Sequence, residues 1–153
     1  MKYSVCLLFD RTTHDLLLQK KDRTIFAGRY NGVGGKQDSR DEPMEICAKR
    51  EIYEESGVNR IKKFTWLGNL ILPEDCVAGR EGKPAQLYFY AGLIDKSDVK
   101  VMPGATEQLE FFPLTCFDGS GEFPHELAGD GDLAYFIHRA MRVLFGTGVA
   151  RTA

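Results

Sequence analysis

Three carboxylates, Glu51, Glu54 and Glu55, lie close together in the stretch from Gly34 to Val58. If this stretch is helical, they fall within an arc of about 100°, because each residue turns the helix by about 100°. Like charges at these spacings repel by a few tenths of a kcal/mol per pair, and a helix C-terminus disfavours anions. A divalent cation reverses that balance, and Mg²⁺ takes carboxylate oxygens together with substrate phosphates. The acids therefore predict a metal site for phosphate chemistry, the alternative being a solvated acidic helix.

Glycines flank this acidic segment on both sides. Gly57 is a natural end for the helix, because glycine tolerates the left-handed conformation of a C-terminal cap. Before the helix, Gly34 and Gly35 precede Lys36, and glycine lets the backbone approach a ligand closely. The pattern predicts a ligand-binding turn followed by a short helix with three acids on one face.

The same stretch resembles the signature of the Nudix hydrolases, Gly-x5-Glu-x7-Arg-Glu-(aliphatic)-x-Glu-Glu-x-Gly-(aliphatic). The residues that match it position for position are Glu42, Arg50, Glu51, Ile52, Glu54, Glu55, Gly57 and Val58. One departure is that six residues rather than five separate Gly35 from Glu42. The extra residue lengthens the loop that must bring Glu42 to the supporting position that the resemblance gives it.

The resemblance implies a metal centre built on the signature helix. Glu51 and Glu55 are expected to bind the cation with the carbonyl of Gly35, and Glu54 is expected to complete the metal cluster. The expected cofactor is Mg²⁺, and Mn²⁺ suits the same oxygen ligands. Arg50 is expected to orient a glutamate through a bidentate charge-assisted bond.

The general base is left open between two glutamates. One is Glu54 of the signature. The other is Glu107, because Nudix enzymes often place a further acid, which serves as another metal ligand or as the general base, in the loop before an aromatic strand such as the one predicted at Phe111–Leu114; Glu110 is the reserve. An ordinary solvent-exposed glutamate is the alternative for Glu107.

The run from Tyr30 to Lys36 resembles the MutT-like branch of the family, which includes the oxidised-purine nucleoside triphosphate diphosphatases. In that branch the asparagine helps to recognise the base, so this role is expected of Asn31. Its amide offers both a donor and an acceptor. The alternative is that Asn31 and Gly32 form a simple turn.

Further substrate contacts are expected on both sides of that run. Lys21 and Arg23 are candidates for phosphate or base contact, although a cluster of charges is equally often a solvated face. Lys36 is a candidate for contact with phosphate or with a signature carboxylate. Acidic residues contact the base in the oxidised-purine branch, which makes Asp130 and Asp132 candidates. Capping of the last helix is the alternative for Asp132.

The site must be positioned by elements that the hydrophobic pattern indicates. Strands are predicted at Tyr3–Phe9, Leu16–Lys20, Lys62–Leu72 and Ala85–Ile94. A helix with one apolar face is predicted at Leu133–Phe145. The order of elements points to an α+β domain, and the resemblance implies the Nudix fold, a mixed β-sheet sandwiched between α-helices, as a single domain over residues 1–153.

Composition and charge narrow the partners and the cellular location expected of the chain. A net charge of −2 argues against a nucleic-acid polymer as partner, since such binders carry a basic excess. The N-terminus lacks a signal-peptide pattern and no apolar run is long enough to span a membrane, so a cytoplasmic protein is expected. The four dispersed cysteines are expected to be free thiols. The chain is expected to be a monomer or homodimer.

By resemblance, the chain hydrolyses a nucleoside triphosphate, for example an oxidised purine such as 8-oxo-dGTP, to nucleoside monophosphate and pyrophosphate. One alternative is a nucleoside diphosphate linked to another group, such as ADP-ribose or a dinucleoside polyphosphate. A second is a regulatory module that binds nucleotides without cleaving them, and the complete set of glutamates argues against it.

Overall fold

A computed structural model of the chain describes residues 1–22, 26–73 and 83–146. These residues form the strands β1 (Lys2–Asp10), β2 (Leu16–Lys20), β3 (Tyr30–Asn31), β4 (Lys62–Leu72), β5 (Ala85–Ile94) and β6 (Gln108–Phe112), and the helices α1 (Met44–Ser56) and α2 (Asp132–Phe145). Single turns of 3₁₀ helix occur at Lys96–Asp98 and Leu114–Cys116. The four predicted strands are confirmed to within a residue or two at each end.

The strands form a mixed sheet in the order β3-β2-β1-β5-β4, with β6 on the other edge of β2. β1 and β5 are parallel, and the other pairs are antiparallel. β1 pairs with β2 only through Leu8 and Phe9. Beyond that point the chain after β3 pairs with β1 instead, through bridges at Val33 and Lys36. Asn31 therefore lies in a strand of the sheet, and the simple-turn alternative is wrong.

Both faces of the sheet are covered, as the alternation along β1 shows. Val5, Leu7 and Phe9 belong to a core that includes the apolar side of α2. Cys6 and Leu8 belong to a second core, which includes the apolar side of α1. Because successive side chains of a strand point to opposite faces, this pattern places the sheet between the two helices and confirms the predicted architecture.

Each helix is oriented by its buried stripe. The buried residues of α1 are Met44, Cys47, Ala48, Ile52 and Ser56. As predicted, α1 ends at Gly57, which has φ 75° and donates its N–H to the Tyr53 carbonyl at 2.9 Å. The six predicted stripe residues of α2 are all buried: Leu133, Phe136, Ile137, Ala140, Met141 and Leu144.

Two predicted boundaries need correction. Asp132 does not cap α2: the cap residue is Gly131, with φ 100°, and Asp132 is the first helical residue and makes no capping hydrogen bond. The strand expected at Phe111–Leu114 is β6, which begins at Gln108 and ends at Phe112. Pro113 ends it because proline has no N–H for the ladder.

Within the described part of the chain, no helix is long and apolar enough to cross a bilayer. Cys6, Cys47 and Cys116 are free thiols, whereas Cys76 lies outside the described residues. The predicted phosphate contact Arg23 also lies outside them.

Candidate active site

Arg50 lies among the carboxylates of the signature helix. Its Nε and Nη2 donate to the two carboxylate oxygens of Glu42 at 2.8 and 3.0 Å, and its Nη1 donates to Glu51 at 3.0 Å and Glu54 at 3.3 Å. The Arg50 hydrogen bonds and the N–H of Asp38 lower the pKa of Glu42 to about 2. The longer loop therefore still delivers Glu42 to Arg50, with the bidentate geometry expected for a glutamate that Arg50 orients.

Glu55 faces inward from the same helix. Its Oε2 accepts the N–H of Gly34 at 3.1 Å. Burial, and then the charges of Glu51 and Glu107, raise the pKa of Glu55 to about 7, against the opposing influence of Lys21 and the Gly34 N–H. Burial also raises the pKa of Glu51. Both inner carboxyls thus hold their protons more tightly than a free glutamate does, chiefly because they are buried.

Glu107 reaches this cluster from the residue before β6. Its carboxylate pairs with Lys21, whose Nζ lies 3.0 Å from Oε2 and 3.2 Å from Oε1. The side chains are only 16% and 22% exposed. Only Oε1 is aligned to accept a hydrogen bond from Lys21; Oε2 is buried without one. The reserve acid, Glu110, instead accepts the hydroxyl of Tyr30 at 3.4 Å, so the structure brings Glu107 rather than Glu110 to the cluster.

Gly34 and Gly35 form the wall between the acids and β1. A Cβ on Gly34 would lie 2.0 Å from the Ser4 carbonyl oxygen, and one on Gly35 would lie 2.5 Å from the Glu51 carboxylate. Only glycine fits so close to backbone and carboxylate. The Gly35 carbonyl, which the sequence suggested as a metal ligand, accepts the Ser4 N–H at 2.8 Å and is therefore already bonded to β1.

A cavity of about 550 Å³ lies on the other side of this wall. Besides Gly34 and Gly35, its lining includes the predicted contacts Lys21, Asn31, Lys36, Asp130 and Asp132. Its apolar wall includes Leu87 and Phe89 of β5 and Leu133 of α2. A cavity of this size with few polar groups is typical of a small-molecule site.

The end of the cavity lined by Asp130 and Asp132 is held next to β3 by backbone hydrogen bonds. The Tyr30 N–H donates to the Glu126 carbonyl at 2.9 Å, and the Ala128 N–H donates to the Tyr30 carbonyl at 2.8 Å. The Oδ1 of Asn31 accepts the N–H of Gly32 at 2.8 Å, which leaves its amide NH₂ available to a ligand. Asn31 and the loop before α2 are thus fixed relative to each other.

The comparison with known families matches this arrangement. The family model described as NUDIX domain matches residues 2–128. The chain belongs to the Nudix family. No functionally curated protein shows a significant match to it.

Solved Nudix structures share the fold at low sequence identity. The Nudix domain of Shewanella oneidensis NrtR complexed with ADP ribose aligns at a TM-score of 0.69 and 17% identity, over 94% of this chain and 88% of that one. The longer NrtR chain, complexed with a 27mer DNA, aligns at 0.70 and 18%, over 94% of this chain but 62% of that one. A MutT Nudix hydrolase from Burkholderia pseudomallei aligns at 0.63 and 24%, over 88% and 95%. At these identities the likeness establishes the fold.

Nudix hydrolases generally need a divalent metal such as Mg²⁺, and the donors of this site fit one. Among the described residues, no three acidic, histidine or cysteine side chains converge to hold a metal as they stand. Arg50 and Lys21 form ion pairs with Glu51 and Glu107 of this cluster. The donors are nevertheless all oxygens, as hard cations require. Burial chiefly raises the pKa of Glu55, and the charges of Glu51 and Glu107 raise it further, so three oxygen donors gather at one place that a cation would stabilise.

Sequence reasoning about this Nudix site missed one buried residue, Gln19. It is 3% exposed, and its Oε1 has no hydrogen-bond partner in the part of the chain that the structure describes. The signal was present in the alternation of β2, since Gln19 is in phase with Leu17, which packs beneath α1. Lys36, in contrast, is exposed, and only its carbonyl contacts the signature, accepting Arg50 Nη2 at 3.1 Å.

Proposed function

We propose that the chain is a Mg²⁺-dependent pyrophosphohydrolase that cleaves a nucleoside triphosphate to nucleoside monophosphate and pyrophosphate. The supporting observation is that Gly34 and Gly35 lie between a cluster of acidic side chains and a cavity with an apolar wall, which form two chemically different compartments. On one side the acids meet at Gly34 and Gly35. On the other, a cavity of about 550 Å³ extends from these glycines to Asn31 and Asp130. A nucleotide with its base at Asn31 and its phosphates at the glycines fits both compartments.

The chain's own residues suit the parts of this reaction. When bound, a hard divalent cation supplies positive charge against the polyphosphate oxygens. Glu51, Glu55 and Glu107 would hold it. Lys21 and Lys36 line the cavity beside the glycines and would bind phosphate oxygens as point charges.

We assign the proton-accepting role to Glu54. Its side chain is 54% exposed and bonds only to Arg50 at 3.3 Å, so an attacking water can reach it. Glu107 is held in an ion pair by Lys21 and is nearly buried, which suits a ligand better than a base. Arg50 keeps Glu54 and Glu51 in place through one guanidinium.

At the base end, the proposed readers are Asn31, Asp130 and Asp132. The carboxylates of Asp130 and Asp132 can accept N–H groups of a purine, and the Asn31 amide can donate to a carbonyl oxygen. The oxidised purine 8-oxo-dGTP presents both kinds of group, and so it is the first triphosphate to test.

A second candidate function is hydrolysis of a nucleoside diphosphate linked to another group. The NrtR Nudix domain, which aligns over 94% of this chain, was solved with ADP ribose. The same acids would serve this reaction, with a sugar in the cavity in place of the terminal phosphate.

The test is release of pyrophosphate and phosphate with Mg²⁺ from normal and oxidised (d)NTPs, ADP-ribose and dinucleoside polyphosphates, beside Glu54→Gln. Pyrophosphate from a triphosphate, lost in the variant, is the expected result. Turnover of the diphosphate-linked compounds alone would establish the second candidate. Saturable nucleotide binding without any turnover would instead show a regulatory module and refute both.

A further inference from the structure

One polar side chain in the core of the sheet has no explained partner. Gln19 is 3% exposed, and its Oε1 has no hydrogen-bond partner among the described residues. Buried polar atoms are nearly always hydrogen-bonded, because an unpaired one loses its hydration without compensation. The Gln19 oxygen therefore needs a donor or a cation beyond those that the described residues supply.

The register of the sheet shows which way Gln19 faces. Leu17, Gln19 and Lys21 alternate onto one face, and Leu17 packs in the core beneath α1. On β6, Leu109 lies directly opposite Gln19 and packs against the same core. Two further steps of this register, past Lys20 and Gln108, place Glu107 opposite Lys21, in agreement with their 3.0 Å ion pair.

Gln19 and Glu107 are consequently diagonal neighbours on one face. Such pairs have Cα atoms roughly 7–8 Å apart, within reach of long side chains. Among the described residues, buried side-chain atoms without a hydrogen bond are the oxygens Gln19 Oε1, Glu107 Oε2 and Asp98 Oδ2. The first two belong to this pair. Two acceptors cannot satisfy each other, and a cation between them would satisfy both.

We propose that Gln19 Oε1 completes, together with Glu107, the oxygen shell of the divalent cation, in contact with the ion or with one of its waters. This inference rests on the proposed function, because it needs that cation. Gln19 holds the cation's shell from the sheet side, opposite the acids of α1. Replacing such a partner typically weakens metal affinity by about 10–100-fold.

The test measures Mn²⁺ binding without nucleotide, from the electron paramagnetic resonance signal of free Mn²⁺, for Gln19→Leu and for Gln19→Met, which keeps the length of the side chain. Both are expected to raise the Kd for Mn²⁺ at least about tenfold. In EDTA both should melt higher than the unaltered chain, by about 2–4 °C, because an unpaired buried acceptor has been removed. A side chain with a merely structural role would not couple higher melting to weaker metal binding.

Two variants serve as controls. Gln108→Leu makes the same change on β6 on the opposite, exposed face, and it should leave the Kd unchanged. Gln19→Glu keeps the oxygen and should bind Mn²⁺ at least as tightly as the unaltered chain. Unchanged affinity in both Gln19→Leu and Gln19→Met would overturn the inference alone, whereas no Mn²⁺ binding by the unaltered chain would overturn the proposed function as well.

Discussion

Substitution of Glu55 by glutamine should stabilise the chain at neutral and alkaline pH when metal is removed. The pKa of Glu55 is about 7 in the folded chain against an ordinary value of 4.5, chiefly because of burial. A carboxyl with a raised folded-state pKa favours folding below its unfolded pKa, and that contribution is lost as the pH rises toward the folded value. Ionised Glu55 therefore opposes folding above about pH 7.

The size of the effect follows from the pKa difference. About 2.5 units at 1.36 kcal/mol each give roughly 3 kcal/mol of stability, lost progressively between about pH 4.5 and pH 7. Glutamine cannot ionise, so Glu55→Gln should escape this loss. For a chain of this length, 3 kcal/mol corresponds to a difference in Tm of about 6–12 °C.

The assay is thermal unfolding in EDTA between pH 4.5 and 8.5, repeated with Mg²⁺. The gap in Tm between Glu55→Gln and the unaltered chain should be near zero at pH 4.5 and largest above pH 7. Mg²⁺ should raise the Tm of the unaltered chain more than that of the variant. Glu45→Gln is the matched control, since Glu45 lies on the same helix with its side chain 59% exposed. A gap that is the same at pH 4.5 and pH 8, or an equal gap in Glu45→Gln, would refute the burial argument.

Further predictions concern the wall and the signature. Gly34→Ala should lower stability by about 1–3 kcal/mol, measured by urea unfolding, because its Cβ would lie 2.0 Å from a backbone oxygen of β1; an unchanged midpoint would contradict that packing. Arg50→Lys should lower kcat/KM for pyrophosphate release by about 10–100-fold, because an ammonium cannot form the bidentate pair with Glu42; full activity would show that this pair is dispensable. Glu54→Gln should lower kcat by about 10²–10⁴-fold with Mn²⁺ affinity little changed, whereas Glu107→Gln should mainly weaken Mn²⁺ binding; the reverse pattern would exchange their roles.

Features governed by local chemistry were predictable from the sequence. The end of α1 at Gly57 and the apolar stripe of α2 depend on residues within one or two turns of each other, and both are found as predicted. The prediction that Asp132 caps α2 was wrong, although capping also depends on neighbouring residues. Only Asp132 was considered for that position, and the left-handed backbone at Gly131 makes the glycine the cap and the aspartate the first helical residue.

Features that depend on distant pairing were not predictable in the same way. Residues 30–36 fill the space between β1 and β2, which are joined only near Leu8 and Phe9. No local pattern specifies that Gly35 bonds to Ser4 through its carbonyl. The pairing of Lys21 with Glu107 likewise requires the register of β2 against β6, which the sequence does not encode at any fixed spacing.

The pairing of Lys21 with Glu107 links the two compartments. Lys21 lies in the ion pair and also lines the cavity, so its ammonium can serve the carboxylate or a phosphate, but not both at full strength. A cation bound by the carboxylates would replace Lys21 as the partner of Glu107. Lys21 would then be released toward the anion in the cavity. The burial of negative charge in the cluster, which costs stability without metal, would thus couple metal binding to polyphosphate binding in the proposed reaction.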